Sequence, residues 1–550
     1  MVLNTLYFTF PAANVAPIAD AYRHILLYVE PFYSDSPTLG MLWSNHHPRP
    51  LHAILTIFNA LIFSLDYRFE TVIGLFCLFS LSCLILYNVF RDYGVHDKKS
   101  PLKLLQFTFL FAAVISALYS LNPTSSYMWT LVTVGFLDCL VAIFIYCVYS
   151  NLFRGQTGRE GVFYIASFIL LFINFNKAVI FLAPVIFCAA FFIIINYLRP
   201  VNLRVFVLTL ALILLVKIFL VWITPDVEAN PYAFTLATKL HSFFMSPGET
   251  IDFYGFALIS GLVKFKYYIA WSGKDSILNY FITYLSLAVY IFSFFLYVKN
   301  KLWYKSVLPL LLALMPIFFL AALFIGRYDF NAVFNISYPS SAGRYAFNYK
   351  LGWIGVVWIY YLSSRCVARD LLKPLFFLPI FALIFVSVLS NSLSWDSYQP
   401  LASKSSQRIL SALHASEEGV SKLTRGHIRC MDTVKVCDKS LEFLRLNSLS
   451  IFAASYAETF SRVCQYDVSE YRFLGKKGVG FMFPVDLNTL PVDIRVNDRR
   501  VYAVKSISGE KRIDLTDVGL DRMDQVYRVD FYCYKNNRFQ IFDSIDFPGN

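Results

Sequence analysis

Apolar runs of about 20 residues recur through the first 391 positions of this 550-residue chain, and a bilayer core about 30 Å thick is what such a length spans. They fall near 70–90, 103–121, 129–149, 162–176, 178–198, 203–223, 277–298, 306–325, 345–362 and 374–391. Lipid offers the backbone no hydrogen-bond partners, so runs of this kind fold as helices. Hydrophobic types make up 57% of the chain and charged types 15%, against about 25% charged in an ordinary soluble domain. That composition excludes a disordered chain and speaks against a soluble enzyme. Asn174, Asn176 and Lys177 break the block 162–198, which reads as a tight hairpin. The expected fold is mainly α: a polytopic bundle of about ten or eleven membrane helices.

Charge orients the bundle. Five short loops hold Arg91, Lys98, Lys99 and Lys103; Arg154 and Arg159; Arg199 and Arg204; Lys299, Lys301 and Lys305; and Arg365, Arg369 and Lys373, opposed only by Asp92, Asp97, Glu160 and Asp370. The positive-inside rule makes these loops cytoplasmic. They carry most of the net charge of +12, so no basic stripe is left for nucleic acid. The segments 1–69, 122–128, 224–276, 326–344 and 392–550 then lie outside. The stretches 51–65 and 254–271 are apolar but short or, with Lys264 and Lys266, interrupted, and read as interfacial or re-entrant helices. No basic region precedes the apolar start, so no signal peptide is expected. Residues 1–19 look like the outer half of a span broken by Pro11 and Pro17, from either a short first helix or a start placed downstream.

The domain plan is a membrane domain over 1–391, a polar helical segment over 392–452 and a β-rich region over 453–550. Val492–Val496 and Val501–Lys505 flank an Asn-Asp-Arg-Arg turn, and Val526–Tyr534 and Arg538–Phe547 flank Lys-Asn-Asn, which predicts hairpins in a small β-sandwich. Cys430 and Cys437 face an oxidising compartment in this topology and are expected to pair. Cys464 and Cys533 are a second candidate pair, while the six other cysteines read as small packing residues.

Four of the eight histidines, His24, His46, His47 and His52, fall within 29 residues, alongside Asp20, Arg23 and Arg49. A carboxylate at a helix end suits a general base, and an Arg nearby suits a phosphate. The bland alternatives are an interfacial Asp and a solvated histidine loop. Asp20, His24, His46, His47 and His52 match no metal spacing, so neither a metal nor another cofactor is expected. Asp138 and Lys217 lie within spans, where ionisable residues usually face the bundle interior. They form a candidate polar pair, as a substrate contact or a structural ion pair. Lys177, Arg327 and Arg344 are expected on the outer side as a cationic wall for phosphate. No Walker A loop, Gly-x-Ser-x-Gly elbow or zincin helix occurs, which weakens ATP-driven transport and serine hydrolysis.

The order Asp20, Trp43, Asn45 to Arg49, then Ala342-Gly343-Arg344-Tyr345, Trp395, the paired cysteines and Leu444 to Phe452 resembles bacterial polytopic glycosyltransferases of the GT-C type. Among these it is similar to the serotype-converting O-antigen glucosyltransferases. The resemblance covers the layout of residues 1–452. It implies an inner-membrane enzyme with its site facing the periplasm or exterior. Such an enzyme moves a sugar, a hexose such as glucose, from a polyprenyl-phosphate donor to a surface polysaccharide. Asp20 would be the base, with Arg49, His47 and Arg344 in the substrate segments. Membrane lipid, a donor synthase and a flippase are the partners it implies. Where related chains carry Glu-His-Arg, this one has His46-His47-Pro48-Arg49, which leaves a second carboxylate unassigned. An O-antigen-type polymerase and a transporter or flippase are the competing readings.

Overall fold

In the computed structural model the described residues are 21–34, 36–43, 49–93, 101–122, 130–154, 160–174, 179–195, 200–223, 235–263, 277–334, 345–366, 370–395, 398–421 and 432–456, with short pieces before 21 and at 425–430 and 458, and strands between 470 and 547. Each of the ten apolar runs is a helix. They are α3 (Tyr67–Tyr93), α4 (Pro101–Leu118), α5 (Thr130–Phe153), α6 (Glu160–Asn174), α7 (Val179–Ile194), α8 (Pro200–Ile223), α11 (Ile277–Lys299), α12 (Leu308–Phe334), α13 (Ala346–Ser364) and α14 (Leu378–Trp395). Five described stretches, Tyr67–Tyr93, Gly135–Phe153, Ile277–Lys299, Leu308–Ile325 and Lys373–Ser394, are long and apolar enough to cross a bilayer. Phe76, Phe79, Leu214, Phe281, Phe295 and Phe385 point outward from the bundle, as side chains bathed in lipid do.

α13 departs from its reading as an ordinary span. It is buried along all 19 residues and packs against α4, α11, α12 and α14 and against α10 (Pro247–Leu262). A helix buried all round is the axis of a bundle. Its glycines set the spacing: a Cβ at Gly355 would lie 2.6 Å from the Ala313 nitrogen and the Pro309 carbonyl oxygen of α12. The two backbones touch there because no side chain intervenes.

α10 covers the first part of the stretch 254–271, expected to be interfacial or re-entrant, and residues 264–271 lie outside the described residues. It begins earlier, and its C-terminal half is buried, with Ala257, Leu258, Ile259 and Ser260 in the core. It stops inside the protein, so its last carbonyls need donors. Trp353 Nε1 donates to the Leu258 carbonyl at 3.0 Å and Asn122 Nδ2 to that of Ser260 at 2.6 Å. The end of α4 is met in the same way. Lys350 Nζ on α13 lies 2.9 Å from the Ser120 carbonyl oxygen and 2.5 Å from Ser120 Oγ, and Asn391 Oδ1 on α14 accepts from the Leu121 amide at 3.1 Å.

Four of the five basic loops meet at one end of the bundle. Arg154 Nη2 pairs with Asp92 at 2.6 Å and donates to the Lys305 carbonyl at 2.6 Å. Arg91 donates to Asn151 at 2.6 Å, and Arg365 reaches the Asp92 carbonyl at 3.4 Å. The residues that the charge rule groups on one side thus share one end, as the alternation requires.

The opposite end carries the N-terminal segment. α1 (residues 21–33) joins Ala21–His24 and Glu30–Tyr33 through a π-helical stretch, Ile25–Val29. α2 (Pro50–Phe63) buries His52, Ala53, Thr56, Ile57, Asn59 and Ala60 and exposes Ile54, Phe58, Leu61 and Ile62, the amphipathic form expected of 51–65. The polar segment forms α15 (Tyr398–Glu418) and α16 (Val434–Leu446), and Cys430 and Cys437 are disulfide-bonded. α16 packs on α1: Ser440 Oγ donates to the Tyr22 carbonyl at 2.7 Å and Arg23 pairs with Asp432 at 2.5 Å. The same segment holds the α2–α3 elbow, where the Ser450 amide donates to the Ser64 carbonyl at 2.6 Å and Tyr456 Oη to Asp66 Oδ2 at 3.0 Å. Beyond it lie two antiparallel four-stranded sheets. β3 (Asp493–Val496) pairs with β4 (Arg499–Arg500), so Arg499 and Arg500, expected in the turn, belong to a strand. Val504–Ile507 sits in the other sheet. Tyr527–Lys535 pairs with Arg538–Phe547 close to the expected bounds. The latter sheet is fastened to α15 by Phe539 stacked on His414 at 3.8 Å.

Gly355→Val is expected to force α12 and α13 apart, an overpacking cost of about 1–3 kcal/mol, while Gly248→Ala, with open space around it, leaves stability unchanged. Thermal unfolding of both variants in detergent checks this. Equal melting temperatures would remove the α12–α13 contact as a determinant of the bundle.

Candidate functional site

The start of α2 puts three polar side chains on one face. Arg49 precedes Pro50 at the first helical position, where proline's missing N–H costs nothing. His52 and Thr56 follow at spacings of three and four, so all three share the inward stripe. Two carboxylates on neighbouring helices meet that stripe. Asp138 of α5 lies 3.6 Å from Arg49 Nη1. Glu70, in the first turn of α3, presents one oxygen 3.5 Å from His52 Nε2 and accepts from Thr56 Oγ1 with the other, also at 3.5 Å. Thr56 Oγ1 lies 3.5 Å from His52 Nε2 as well. His52, Thr56 and Glu70 are 3%, 1% and 4% exposed, so this chain of polar groups is shut off from water. α1 closes it from the other side, with the His24 ring centroid 5.2 Å from that of His52 and 5.2 Å from Tyr28.

Two neighbours hold the carboxylates in register. Cys139 Sγ, next to Asp138, lies 3.2 Å from Asn348 Oδ1 on the central helix, and Phe136 packs edge-on against Phe347. The elbow residues 64–66, clamped by Ser450 and Tyr456, fix where α3 begins and so where Glu70 stands.

The electrostatics follow from burial. Desolvation holds the His24 imidazole well below the ordinary histidine pKa, and the nearby His52, Arg49 and Arg23 push the same way. His24 is therefore neutral at physiological pH, a donor and acceptor rather than a cation. A threonine hydroxyl that donates to Glu70 has only its lone pairs left for His52. In a neutral imidazole that arrangement would put the hydrogen on Nε2 and leave Nδ1 as the acceptor.

Of the residues picked from sequence, Arg49 and Asp138 are brought together. The expected partner of Asp138 was Lys217. The described ion pair of Asp138 is with Arg49, because α2 reaches α5 from the outer segment. Lys217 lies on α8 and Arg327 on α12, with their side chains outside the described residues. Asp20, His46, His47, Lys177 and Arg344 also lie outside them. The expected Cys430–Cys437 bridge is formed, and Cys533 is disulfide-bonded too, while Cys464 is outside the described residues. Among the described residues no group of three or more His, Cys, Asp or Glu is arranged to hold a metal ion.

Sequence reading passed over Glu70 and Lys350, both ionisable and both inside or at the edge of an apolar run. The rule that flagged Asp138 and Lys217 applies equally to them. Glu70 was masked by its place at a span boundary, and Lys350 by a helix rich in Tyr and Trp. Comparison with protein-family models, curated proteins and solved structures finds no match.

Removing one partner of a buried ion pair strands the other charge. Asp138→Asn is expected to cost about 3 kcal/mol, the low end for such pairs because Arg49 keeps 20% of its side chain exposed. Arg49→Met with Asp138→Leu together should regain most of it, and unfolding of the three proteins in detergent reads the cycle. His24 adds a pH dependence. The unfolded chain takes up a proton on His24 below about pH 6.5 that the folded protein refuses, so stability falls as pH drops through that value and is unaffected above it. His24→Gln is expected to lose less stability than wild type between pH 7.5 and 5.5. An identical fall in both would place the acid sensitivity elsewhere.

Proposed function

We propose that the chain is a membrane-embedded glycosyltransferase that moves a sugar, a hexose such as glucose, from a polyprenyl-phosphate donor to a surface polysaccharide such as O-antigen. The observation that carries the reading is the pairing of Arg49 with Asp138 beside His24, His52 and Glu70. The same stretch that resembles the substrate segment of such enzymes contributes the polar stripe of α2. A guanidinium steadied from behind by a carboxylate, beside two buried imidazoles, is a fit receptor for a phosphate leaving group.

In this reading Asp20, one residue ahead of α1, takes the proton of the acceptor hydroxyl. The freed oxygen attacks the anomeric carbon from the face opposite the phosphate. The C–O bond to phosphate breaks, the electron pair leaves with the lipid phosphate, and the anomeric configuration inverts. Arg49 faces the charge that develops on the phosphate, with His46, His47, Lys177, Arg327 and Arg344 as further candidate contacts. A positioned base supplies about 10²–10⁴-fold. Transport through the bundle is the weaker reading, because Asp138, the carboxylate that a midplane pathway would use, is engaged by a residue of the N-terminal segment.

Mass spectrometry of the surface polysaccharide tests the proposal in cells carrying wild-type protein, no protein, or Asp20→Asn. The expected result is an added hexose mass with wild type alone, and a loss of at least about 100-fold in Asp20→Asn at equal membrane abundance. Identical glycans in all three would overturn the enzyme reading. A change only in chain-length distribution would make the protein a polymerase.

A further inference from the structure

At the basic end of the bundle most of the described cations are engaged by the protein. Arg91 is bonded to Asn88 and Asn151, Arg154 to Asp92 and the Lys305 carbonyl, and Arg365 reaches the carbonyls of Asp92 and Tyr93. The turn between α11 and α12 differs. Lys299, Lys301 and Lys305 stand exposed on it, and none of them is ion-paired with a carboxylate among the described residues. The Lys299 ammonium lies 5.5 Å from the centroid of the Phe295 ring, and Lys305 Nζ lies 3.3 Å from the Cys366 sulfur.

The turn is built to hold these lysines in place. Leu302 and Trp303 are buried and anchor it, while Tyr304 between them and Lys305 is 60% exposed. The Lys301 amide donates to the Val298 carbonyl at 3.0 Å, that of Tyr304 to Lys301 at 3.2 Å and that of Lys305 to Leu302 at 2.8 Å. Lys301 sits at a φ of 50°, a left-handed backbone that residues with a Cβ seldom take. Tyr297 Oη donates to the Ser306 carbonyl at 2.9 Å and fastens the turn to α11. Just before it, Phe292, Phe295 and Val298 point outward from α11, with the two rings stacked at 5.6 Å.

Topology asks only how many lysines a loop holds. It does not ask that they stand without acids on a tight turn, around an exposed tyrosine and next to an aromatic wall. Those features match an amphiphile with an anionic head. Lysine stems run along apolar surface while their ammonium groups reach the head group, and a tyrosine at that level keeps its ring in the interface and its hydroxyl in water.

We propose that the α11–α12 turn is a binding site for an anionic phospholipid, with Lys299, Lys301 and Lys305 on the phosphate and Phe292, Phe295 and Val298 along an acyl chain. The site lies at the end of the bundle away from Arg49 and Asp138 and does not depend on the sugar-transfer reading. α11 is the least buried of the five long apolar stretches, so a lipid held at its end adds contacts that the protein itself does not supply.

The experiment uses the full chain, purified in a neutral detergent and depleted of lipid. Phosphatidylglycerol, phosphatidylcholine and soluble glycerol phosphate are the probes. Native mass spectrometry reads the bound lipid, and thermal unfolding is followed in parallel. Wild type is expected to retain phosphatidylglycerol in preference to phosphatidylcholine and to unfold at a higher temperature with it. Lys299→Gln with Lys301→Gln should weaken that retention at least about tenfold, since a lysine near an anionic head group contributes about fivefold. Lys299→Arg with Lys301→Arg should keep it. Lys435→Gln with Lys439→Gln, which removes the same charge from exposed positions on α16, should leave it unchanged. Equal weakening by the two glutamine pairs would overturn the proposal, because net charge alone would then account for the binding. Undiminished retention in Lys299→Gln with Lys301→Gln would overturn it too. So would equal stabilisation by glycerol phosphate, which would make the ligand a soluble phosphate rather than a lipid.

Discussion

Asp138 and Glu70 are carboxylates on helices that are otherwise apolar, and the architecture at this end of the bundle follows from giving them partners. A carboxylate cannot stay ionised in such a place without a cation or hydrogen-bond donors. Neither α3 nor α5 supplies them to the other. They come from α2, a short amphipathic helix whose inward stripe of Arg49, His52 and Thr56 answers both acids at once. α2 cannot be moved outward without taking the described partners from both buried carboxyl groups, so the N-terminal segment is an integral part of the bundle rather than a loop laid over it.

The polar segment after the last apolar helix has a matching role. α1 is short and contains a π-helical turn, and its own hydrogen bonds do not hold it. It is held by α16, through Ser440 on the Tyr22 carbonyl and Asp432 on Arg23, and by a shared core that includes Ile25, Val29, Leu441 and Leu444. The same segment clamps the elbow between α2 and α3. The Cys430–Cys437 bridge closes the loop that leads into α16, so the covalent link serves the face that supports His24. The polar helical segment expected over 392–452 is thus a brace for the histidine cluster.

Much of this was legible in the sequence, and the parts that were not share a cause. Span length and loop charge are one-dimensional, so the helices and the grouping of Arg91, Arg154, Lys305 and Arg365 could be read directly. Partnerships across the bundle are not one-dimensional. Asp138 was flagged, yet its partner Arg49 lies 89 positions away in a segment set apart as a loop. α13 reads as a span because composition does not say whether lipid or protein surrounds a helix. Its glycines at 352 and 355 and its lysine at 350 were the available signals. Lys350 is placed to satisfy the chain end at Ser120, an arrangement that exists only once α4 stops inside the protein. The cysteine pair was legible because its spacing is local.

The two ends of the bundle show what separates a structural polar cluster from one with chemistry left over. At the Arg91 end, Asp92, Arg154, Asn151 and backbone carbonyls meet at 2.6 Å, the length of full charge-assisted bonds. Those bonds are short, although Arg91 Nε and Asp92 Oδ2 are buried there and make no further hydrogen bond. At the Glu70 end the corresponding separations are 3.5 and 3.6 Å, long for a network whose purpose is to hold helices together and in keeping with catalytic groups that tighten only around substrate. A cluster that satisfied itself would have no affinity to spare for a phosphate or a proton. The looser one differs in the length of its contacts and in holding imidazoles, one nitrogen of His52 having no hydrogen-bond partner among the described residues. The proposed site accordingly lies where α2 crosses α3 and α5.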